Sequence, residues 1–328
     1  MYKACIKGMG MYVPEKVLTN HDLEKMVETN DEWITTRTGI KERRIAAPEE
    51  STSVLATKAA QVALQKAGVK PEEVDMVIVA TITPDYVFPA TAALVQNQLG
   101  LPHAATVDIE AACSGFIYAL SMANAYVVSG MYKNVLVIGA ETLSRITDWT
   151  DRTTCILFGD GAGAAVVSRT EENDVSGFIG FQLGGDGSYA DLLWLPAGGS
   201  KIPASHDSVD QRLHFMKMNG NATFKVAVRT MTEALESIMQ THHVSAEEVK
   251  LIVPHQANLR IISAIAERLG VGEDRVMVNL QKYGNTSSAT IPMALYEAIE
   301  EGRVKKGDLL ALVAFGGGFT WGAALLRL

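Results

Sequence analysis

The chain repeats itself, and the repeat limits the folds open to it. Residues 63–79 read A-L-Q-K-A-G-V-K-P-E-E-V-D-M-V-I-V, and residues 234–253 read A-L-E-S-I-M-Q-T-H-H-V-S-A-E-E-V-K-L-I-V. Each is the end of an amphipathic helix, then V-x-x-E-E-V, then a β-branched strand. Pro71 suits the first turn of a short helix in the first copy. L-V-Q-N-Q-L-G-L (94–101) is matched by I-A-E-R-L-G-V (265–271), and each reads as a helix stopped by glycine. Strands are expected next at 105–110 and at 276–280. Helices follow, from Cys113 to about Val128 and from about Ser288 to Ile299. V-L-V-I-G-A (135–140) is then matched by L-L-A-L-V-A-F (309–315), and G-A-A-V-V (163–167) by G-A-A-L-L (322–326). The order holds throughout, and the period far exceeds that of a solenoid. The chain therefore reads as two related halves, 1–170 and 171–328.

Apolar strands alternating with helices predict an α/β protein whose sheets carry helices on both faces. The alanine-rich run A-A-Q-V-A-L-Q (59–65) suits close packing between sheets. Residues 170–220 break the pattern with G-G-D-G-S and P-A-G-G-S, a junction with insertion loops near 180–220. A pseudo-dyad between the halves brings equivalent strand ends together, and a cleft is expected there. At 328 residues, 48% hydrophobic and 20% charged, the chain has ample material for a core. Its formal charge of -8 argues against general nucleic-acid binding. The start, M-Y-K-A-C-I-K-G-M-G, lacks an apolar targeting core and reads as a first strand. No apolar run reaches membrane-span length. Cys5, Cys113 and Cys155 are too widely spaced for a disulfide framework or a zinc site. A reducing, cytoplasmic setting is the simplest expectation.

Three loops carry the candidate chemistry. Cys113 stands in D-I-E-A-A-C-S-G-F where a strand gives way to a helix. Unpaired N–H groups at a helix start stabilise a thiolate, so a lowered pKa is expected. A cysteine in this position can equally be a buried core side chain. Cys5 and Cys155 read as core. His255, in P-H-Q-A-N-L-R, follows a strand of the second half and is a candidate partner, or else a buried histidine bonded to backbone. Asn285, in K-Y-G-N-T-S-S-A-T, occupies the second-half counterpart of the cysteine loop. It can cap a helix or donate to a carbonyl oxygen. A-F-G-G-G-F-T-W-G (314–322) exposes backbone N–H groups as an oxyanion nest or as a plain tight turn. F-G-D-G-A-G-A (158–164) precedes a strand, not a helix, which removes the dinucleotide reading.

Together these elements resemble the thiolase-like condensing enzymes, most closely the beta-ketoacyl-acyl-carrier-protein synthase III family. The resemblance rests on D-E-W-I-T-T-R-T-G-I-K-E-R-R (31–44), A-C-S-G-F, F-G-D-G-A-G-A, P-H-Q-A-N-L-R-I, G-N-T-S and A-F-G-G-G-F-T-W-G, and covers essentially the whole chain. It implies the layered α-β-α-β-α thiolase-like fold. It implies Cys113 as acylated nucleophile, His255 and Asn285 as its partners, and the N–H groups of Cys113 and Gly317 as oxyanion hole. Trp33, Arg37 and Arg152 resemble a clamp on the adenine of coenzyme A. Arg260 resembles a carrier-protein docking residue, with Lys225 and Arg229 as further candidates. Phe88 and Phe315 would bound the acyl pocket, Phe88 from the other subunit of a homodimer. The implied reaction condenses a short acyl-coenzyme A, acetyl-coenzyme A foremost, with malonyl-acyl-carrier protein, without metal or redox cofactor. A related enzyme of specialised metabolism with another acyl donor or acceptor is the alternative.

Overall fold

Each repeat builds one sheet, and the two sheets share a topology. A computed structural model describes residues 2–170 and 173–328. The expected boundary between the halves falls at Glu171, outside the described residues. The first sheet holds β1 (Ala4–Tyr12), β2 (Met76–Ala80), β3 (Ala105–Ile109), β4 (Asn134–Thr142) and β5 (Asp160–Arg169). Their spatial order is β1-β5-β4-β2-β3. The second holds β6 (Gly177–Gly185), β7 (Leu251–Pro254), β8 (Leu309–Gly316) and β9 (Thr320–Arg327), in the order β7-β8-β9-β6. In both, two neighbouring strands run parallel (β2 with β4, β7 with β8) and the next pairs are antiparallel. β2, β4 and β5 are buried along almost their whole length, as their unbroken apolar runs require.

Seven principal helices are α1 (Asp31–Thr38), α2 (Thr52–Ala67), α3 (Thr91–Leu99), α4 (Gly115–Val128), α5 (Gly220–Thr241), α6 (Leu259–Leu269) and α7 (Thr290–Glu300). α4 and α7 form the middle layer. Phe116, Ile117 and Leu120 of α4 and Ile291 and Leu295 of α7 share one core with Ile78 and Val137 of the first sheet and Leu310 and Leu312 of the second. The outer face of the first sheet is covered by α2 and α3, and that of the second by α5 and α6. The order is helix, sheet, helix, sheet, helix. The alanine-rich α2 thus lies on an outer face rather than between the sheets. α3 and α6 end at Gly100 and Gly270, both left-handed, with φ of 63° and 65°. No helix among the described residues is long and apolar enough to cross a membrane.

Two expectations need correction. Residues 177–185, placed in the junction and its loops, form β6, which pairs along its length with β9. Glycines at 177, 180, 184 and 185 hide the strand pattern. The equivalent of β3, expected at 276–280, is not a ladder strand. Val276 alone bridges to Ile252 of β7, and a short helix begins at Leu280. The buried side chain of Gln256 takes over the missing pairing. Its amide donates to the Pro254 and Met277 carbonyls at 2.8 and 3.0 Å and accepts the Asn279 N–H at 2.9 Å.

Candidate active site

The carboxyl ends of the strands meet at a cavity of about 300 Å³ whose lining includes Cys113, His255, Asn285, Phe315 and Gly316. Cys5 and Cys155 are not among the lining residues. Cys155 lies fully buried in a turn rather than a strand, and Cys5 is part-buried in β1. Cys113 occupies a one-turn 3₁₀ helix, Ala112–Ser114, that leads into α4. The turn is entered through Ala112 at φ +44°, a left-handed conformation costly for a residue with a side chain. The second half repeats this device. Ser287 has φ +48° and opens the 3₁₀ turn Ser287–Ala289 that leads into α7. By position, Ser288 is the counterpart of Cys113. β8 also ends against the cysteine: a side chain at Gly316 would place its first carbon 2.6 Å from the Cys113 nitrogen, so only glycine fits.

The expected lowering of the Cys113 pKa is reversed. Burial pushes the thiol up to about 12, with the Ser287 hydroxyl and the Cys113 N–H opposing the rise and Glu141 adding to it. The 3₁₀ turn separates Cys113 from the start of α4, and the Ser114 N–H is already bonded to the Ala111 carbonyl at 3.1 Å. The Ser287 hydroxyl is buried and meets no hydrogen-bond geometry, so it acts on the thiol as a nearby dipole rather than as a bonded donor. Cys5 and Cys155 are raised to about 11, chiefly by burial. Acidity therefore does not single out Cys113; its place in the cavity wall does.

His255 follows β7 and is fixed by its backbone N–H, which donates to the Val313 carbonyl at 2.8 Å. Its side chain is 2% exposed, with Nδ1 2.7 Å from Thr290 Oγ1. Burial pushes its pKa down to about 3, so the imidazole is neutral near pH 7. Asn285 is tied to the first half by backbone. Its N–H donates to the Leu157 carbonyl at 2.8 Å and its carbonyl accepts the Gly159 N–H at 3.0 Å. Its Oδ1 accepts the Ser287 N–H at 2.8 Å, which leaves the amide nitrogen to donate into the cavity. Phe315 is buried in the wall, edge-on to Phe319 at 4.4 Å between ring centroids. Gly317 follows Gly316 in the turn between β8 and β9.

The exposed Arg37 and Arg260 extend the cavity lining. The Arg37 guanidinium lies 4.7 Å from the Trp33 ring centroid and that of Arg152 lies 5.6 Å from it. The three residues expected to act together are thus one cluster, with both cations on the indole itself. Fully buried Arg43, from the same motif, holds this region in place. It donates to the Leu18 and Ile156 carbonyls and to Asn20 Oδ1 at 3.1, 2.7 and 2.9 Å. Asn20 in turn donates to Asp31 of α1 at 2.9 Å. Arg260 begins α6 and lies 5.7 Å over Phe224 of α5. Lys225 and Arg229 are exposed on α5, and Arg229 is engaged by Tyr189. Phe88 stands apart. It is 85% exposed on the loop before α3, beside exposed Tyr86 and Val87, and is not among the residues lining this chain's cavity. Among the described residues no group of three or more His, Cys, Asp or Glu is placed to hold a metal ion.

Sequence reasoning missed Thr290, Ser287 and Glu141. Glu141 ends β4 between the two halves. It accepts hydrogen bonds from Thr83 Oγ1 at 2.6 Å, Ser288 Oγ at 2.9 Å and the Ile82 N–H at 3.1 Å. Burial nonetheless raises its pKa to about 7. The folded chain therefore keeps the Glu141 proton at pH values where the unfolded chain has released it. This contribution favours the fold at low pH and is lost as pH rises through the folded value, between about 4.5 and 7. It amounts to on the order of 3 kcal/mol. Glu141→Gln should flatten the fall in urea stability between pH 5 and 8 relative to the parent. An equal slope in both proteins would show that Glu141 does not titrate in this window.

Comparison with known proteins identifies the family. The model of 3-oxoacyl-[acyl-carrier-protein] synthase III matches residues 107–187, and the model of the C-terminal part of that enzyme matches 239–328. A beta-ketoacyl-[acyl-carrier-protein] synthase III from Caldanaerobacter subterraneus subsp. tengcongensis is 54% identical over 99% of this chain and 97% of its own length. One from Natranaerobius thermophilus is 52% identical over the full length of both. The crystal structure of 3-oxoacyl-[acyl-carrier-protein] synthase III from Aquifex aeolicus superposes with a TM-score of 0.92 at 53% identity, covering 99% of this chain and all of that one. With full-length identity above half and the same five-layer fold, the chain belongs to the 3-oxoacyl-[acyl-carrier-protein] synthase III family.

Proposed function

We propose that this protein condenses a short acyl-coenzyme A with malonyl-acyl-carrier protein and so initiates fatty-acid synthesis. The observation that carries the assignment to residues is one cavity lined by a cysteine, a neutral histidine and an asparagine drawn from both halves. The Cys113 thiol attacks the thioester carbon, and its proton leaves with the coenzyme A thiolate as free thiol. The Cys113 N–H, with that of Gly317, holds the tetrahedral oxyanion. With the thiol pKa raised to about 12, the small thiolate fraction present near pH 7 makes the attack. Malonyl-carrier protein then enters, its terminal carboxylate leaves as CO2, and the electron pair flows into an enolate. His255 and Asn285 donate to that enolate oxygen. The carbanion attacks the acyl-cysteine, and Cys113 departs as thiolate and regains a proton taken up from water.

Trp33, Arg37 and Arg152 receive the adenine of coenzyme A, which has to part the guanidinium–indole stack. Phe88, 85% exposed and not among the residues lining this chain's own cavity, reaches the acyl pocket of a partner subunit in a homodimer. A shift of Phe88→Ala to longer primers would place Phe88 at an acyl pocket, and short-primer preference kept in a heterodimer of Phe88→Ala with Cys113→Ser chains would place it in the partner's pocket. The setting is cytoplasmic. The direct test measures CO2 release from malonyl-carrier protein with and without acetyl-coenzyme A. Release coupled to 3-oxoacyl-carrier protein is expected. Binding without turnover for every acyl-coenzyme A offered would overturn the reading.

Arg260 serves the carrier protein, since it is exposed beside the cavity while the chain as a whole is acidic. Arg260→Ala should raise KM for malonyl-carrier protein by roughly fivefold to tenfold and weaken its salt dependence, with acetyl loading unchanged. Equal losses in both half-reactions would assign Arg260 to the shared cavity instead.

A further inference from the structure

Two turns must hold still together for one oxyanion to be bound, the turn of the Cys113 N–H and the turn of the Gly317 N–H. Neither is fixed by its own backbone. The first is entered through Ala112 in a left-handed conformation, φ +44°. The second runs through Gly316, Gly317 and Gly318, and glycine leaves the backbone its widest freedom. The side chain of Thr320 joins the two. Thr320 opens β9 and pairs with Gly316, the last residue of β8. Its Oγ1 lies 3.0 Å from the Ala111 carbonyl and 2.7 Å from Ser114 Oγ, the residues that bracket Ala112 and Cys113. Ser114 Oγ lies 2.7 Å from the same Ala111 carbonyl. Two hydroxyl oxygens this close need one hydrogen between them. Either Thr320 donates to Ser114 and Ser114 to the carbonyl, or Ser114 donates to Thr320 and Thr320 to the carbonyl. In both cases a hydroxyl of β9 is tied to the cysteine turn across 206 positions of sequence. Gly316 meets the same turn directly, since a first side-chain carbon there would lie 2.6 Å from the Cys113 nitrogen and 3.0 Å from the Ala111 oxygen.

We propose that Thr320 is a positioning residue for the oxyanion hole: its hydroxyl locks the β8–β9 turn to the cysteine turn and so fixes the Gly317 N–H relative to the Cys113 N–H. The inference rests on the reading of these two N–H groups as oxyanion donors, and it adds what sets their spacing. The far side of the glycine turn has its own anchor, the reciprocal backbone bonds between Phe319 and Asp186 at 2.9 and 2.8 Å. Thr320 supplies the anchor on the side of the sulfur. A valine in its place would keep the side-chain shape and the strand preference. It would leave the Ser114 hydroxyl bonded only within its own turn, and the two donors would then lose alignment with the transition state.

The test measures single-turnover acetyl loading by the whole protein, then CO2 release from malonyl-carrier protein on enzyme already acetylated. Thr320→Val removes the hydroxyl at nearly constant volume. It should slow the maximal loading rate by roughly tenfold, less than the loss of a whole oxyanion donor. The acetyl-coenzyme A concentration for half-maximal loading should stay within about twofold. CO2 release should stay within about threefold, because His255 and Asn285 hold that enolate. Thr320→Ser keeps the hydroxyl and should load at the parent rate. Ser114→Ala should lose no more than about threefold, because Thr320 can then donate straight to the Ala111 carbonyl. Parent-rate loading by Thr320→Val would overturn the proposal. Equal losses of loading and CO2 release would overturn it too, as the mark of a general loosening of the site. If the valine variant did not fold, Thr320→Ala would take its place. A loss of roughly tenfold in Thr320→Ser would overturn the proposal in any case, by assigning the effect to the methyl group. If the parent protein itself took no acetyl label on Cys113, the reading of the site would fall first, so the two failures are distinguishable.

Discussion

Cys113→Ser should lose acyl loading by roughly a thousandfold or more while keeping its fold. An alcohol is far less acidic than a thiol and a far poorer nucleophile near pH 7, and a factor of a thousand corresponds to about 4 kcal/mol of barrier. The substitution is small, and Ser288 already occupies the equivalent turn of the other half. Labelled acetyl-coenzyme A, digestion and mass mapping should find the label on Cys113 alone in the parent protein. The single-turnover loading rate should also climb with pH. The thiol pKa lies near 12, so each step up in pH exposes more thiolate well beyond neutrality. Label on Cys5 or Cys155 with Cys113 free would remove the assignment. A loading rate that levels off near neutral pH would show that substrate binding lowers the thiol pKa substantially.

His255→Ala and Asn285→Ala should each lower condensation by roughly a hundredfold to a thousandfold, the usual cost of one oxyanion donor. Neither should abolish loading, because under the proposed mechanism backbone N–H groups hold the first oxyanion. His255 donates from a neutral ring, and Asn285 donates from an amide whose oxygen is already occupied by the Ser287 N–H. Both are therefore set in place before substrate arrives, which is where such groups gain their effect. Measuring CO2 release separately from acyl transfer checks the split. Loss of loading equal to loss of condensation would make the two residues activators of Cys113 rather than enolate donors.

Much of this site was legible in the sequence: Cys113, His255 and Asn285 were candidates from their loops and took their roles from the family resemblance, and the structure gathers them around one cavity. The sign of the Cys113 pKa shift was not legible. Local sequence shows a helix start, but burial by the other half decides the outcome. Thr290 and Glu141 were missed for a similar reason. Each acts on groups distant in sequence: Thr290 on His255, and Glu141 on Thr83 and Ser288. β6 was hidden by its glycines, and the strand expected at 276–280 was replaced by a side-chain amide that no periodicity announces.

The matching left-handed entries at Ala112 and Ser287 bear on ancestry. A pair of identical, unlinked subunits would have carried two such elbows back to back, each offering the same side chain. Within one chain the two turns differ. One elbow carries the Cys113 sulfur in the cavity wall. The other holds Ser288, which is bonded to the Ala80 carbonyl and to Glu141 and faces into the protein scaffold. The two halves therefore present different side chains at the same turn, a thiol at the cavity wall and a hydroxyl held in the scaffold.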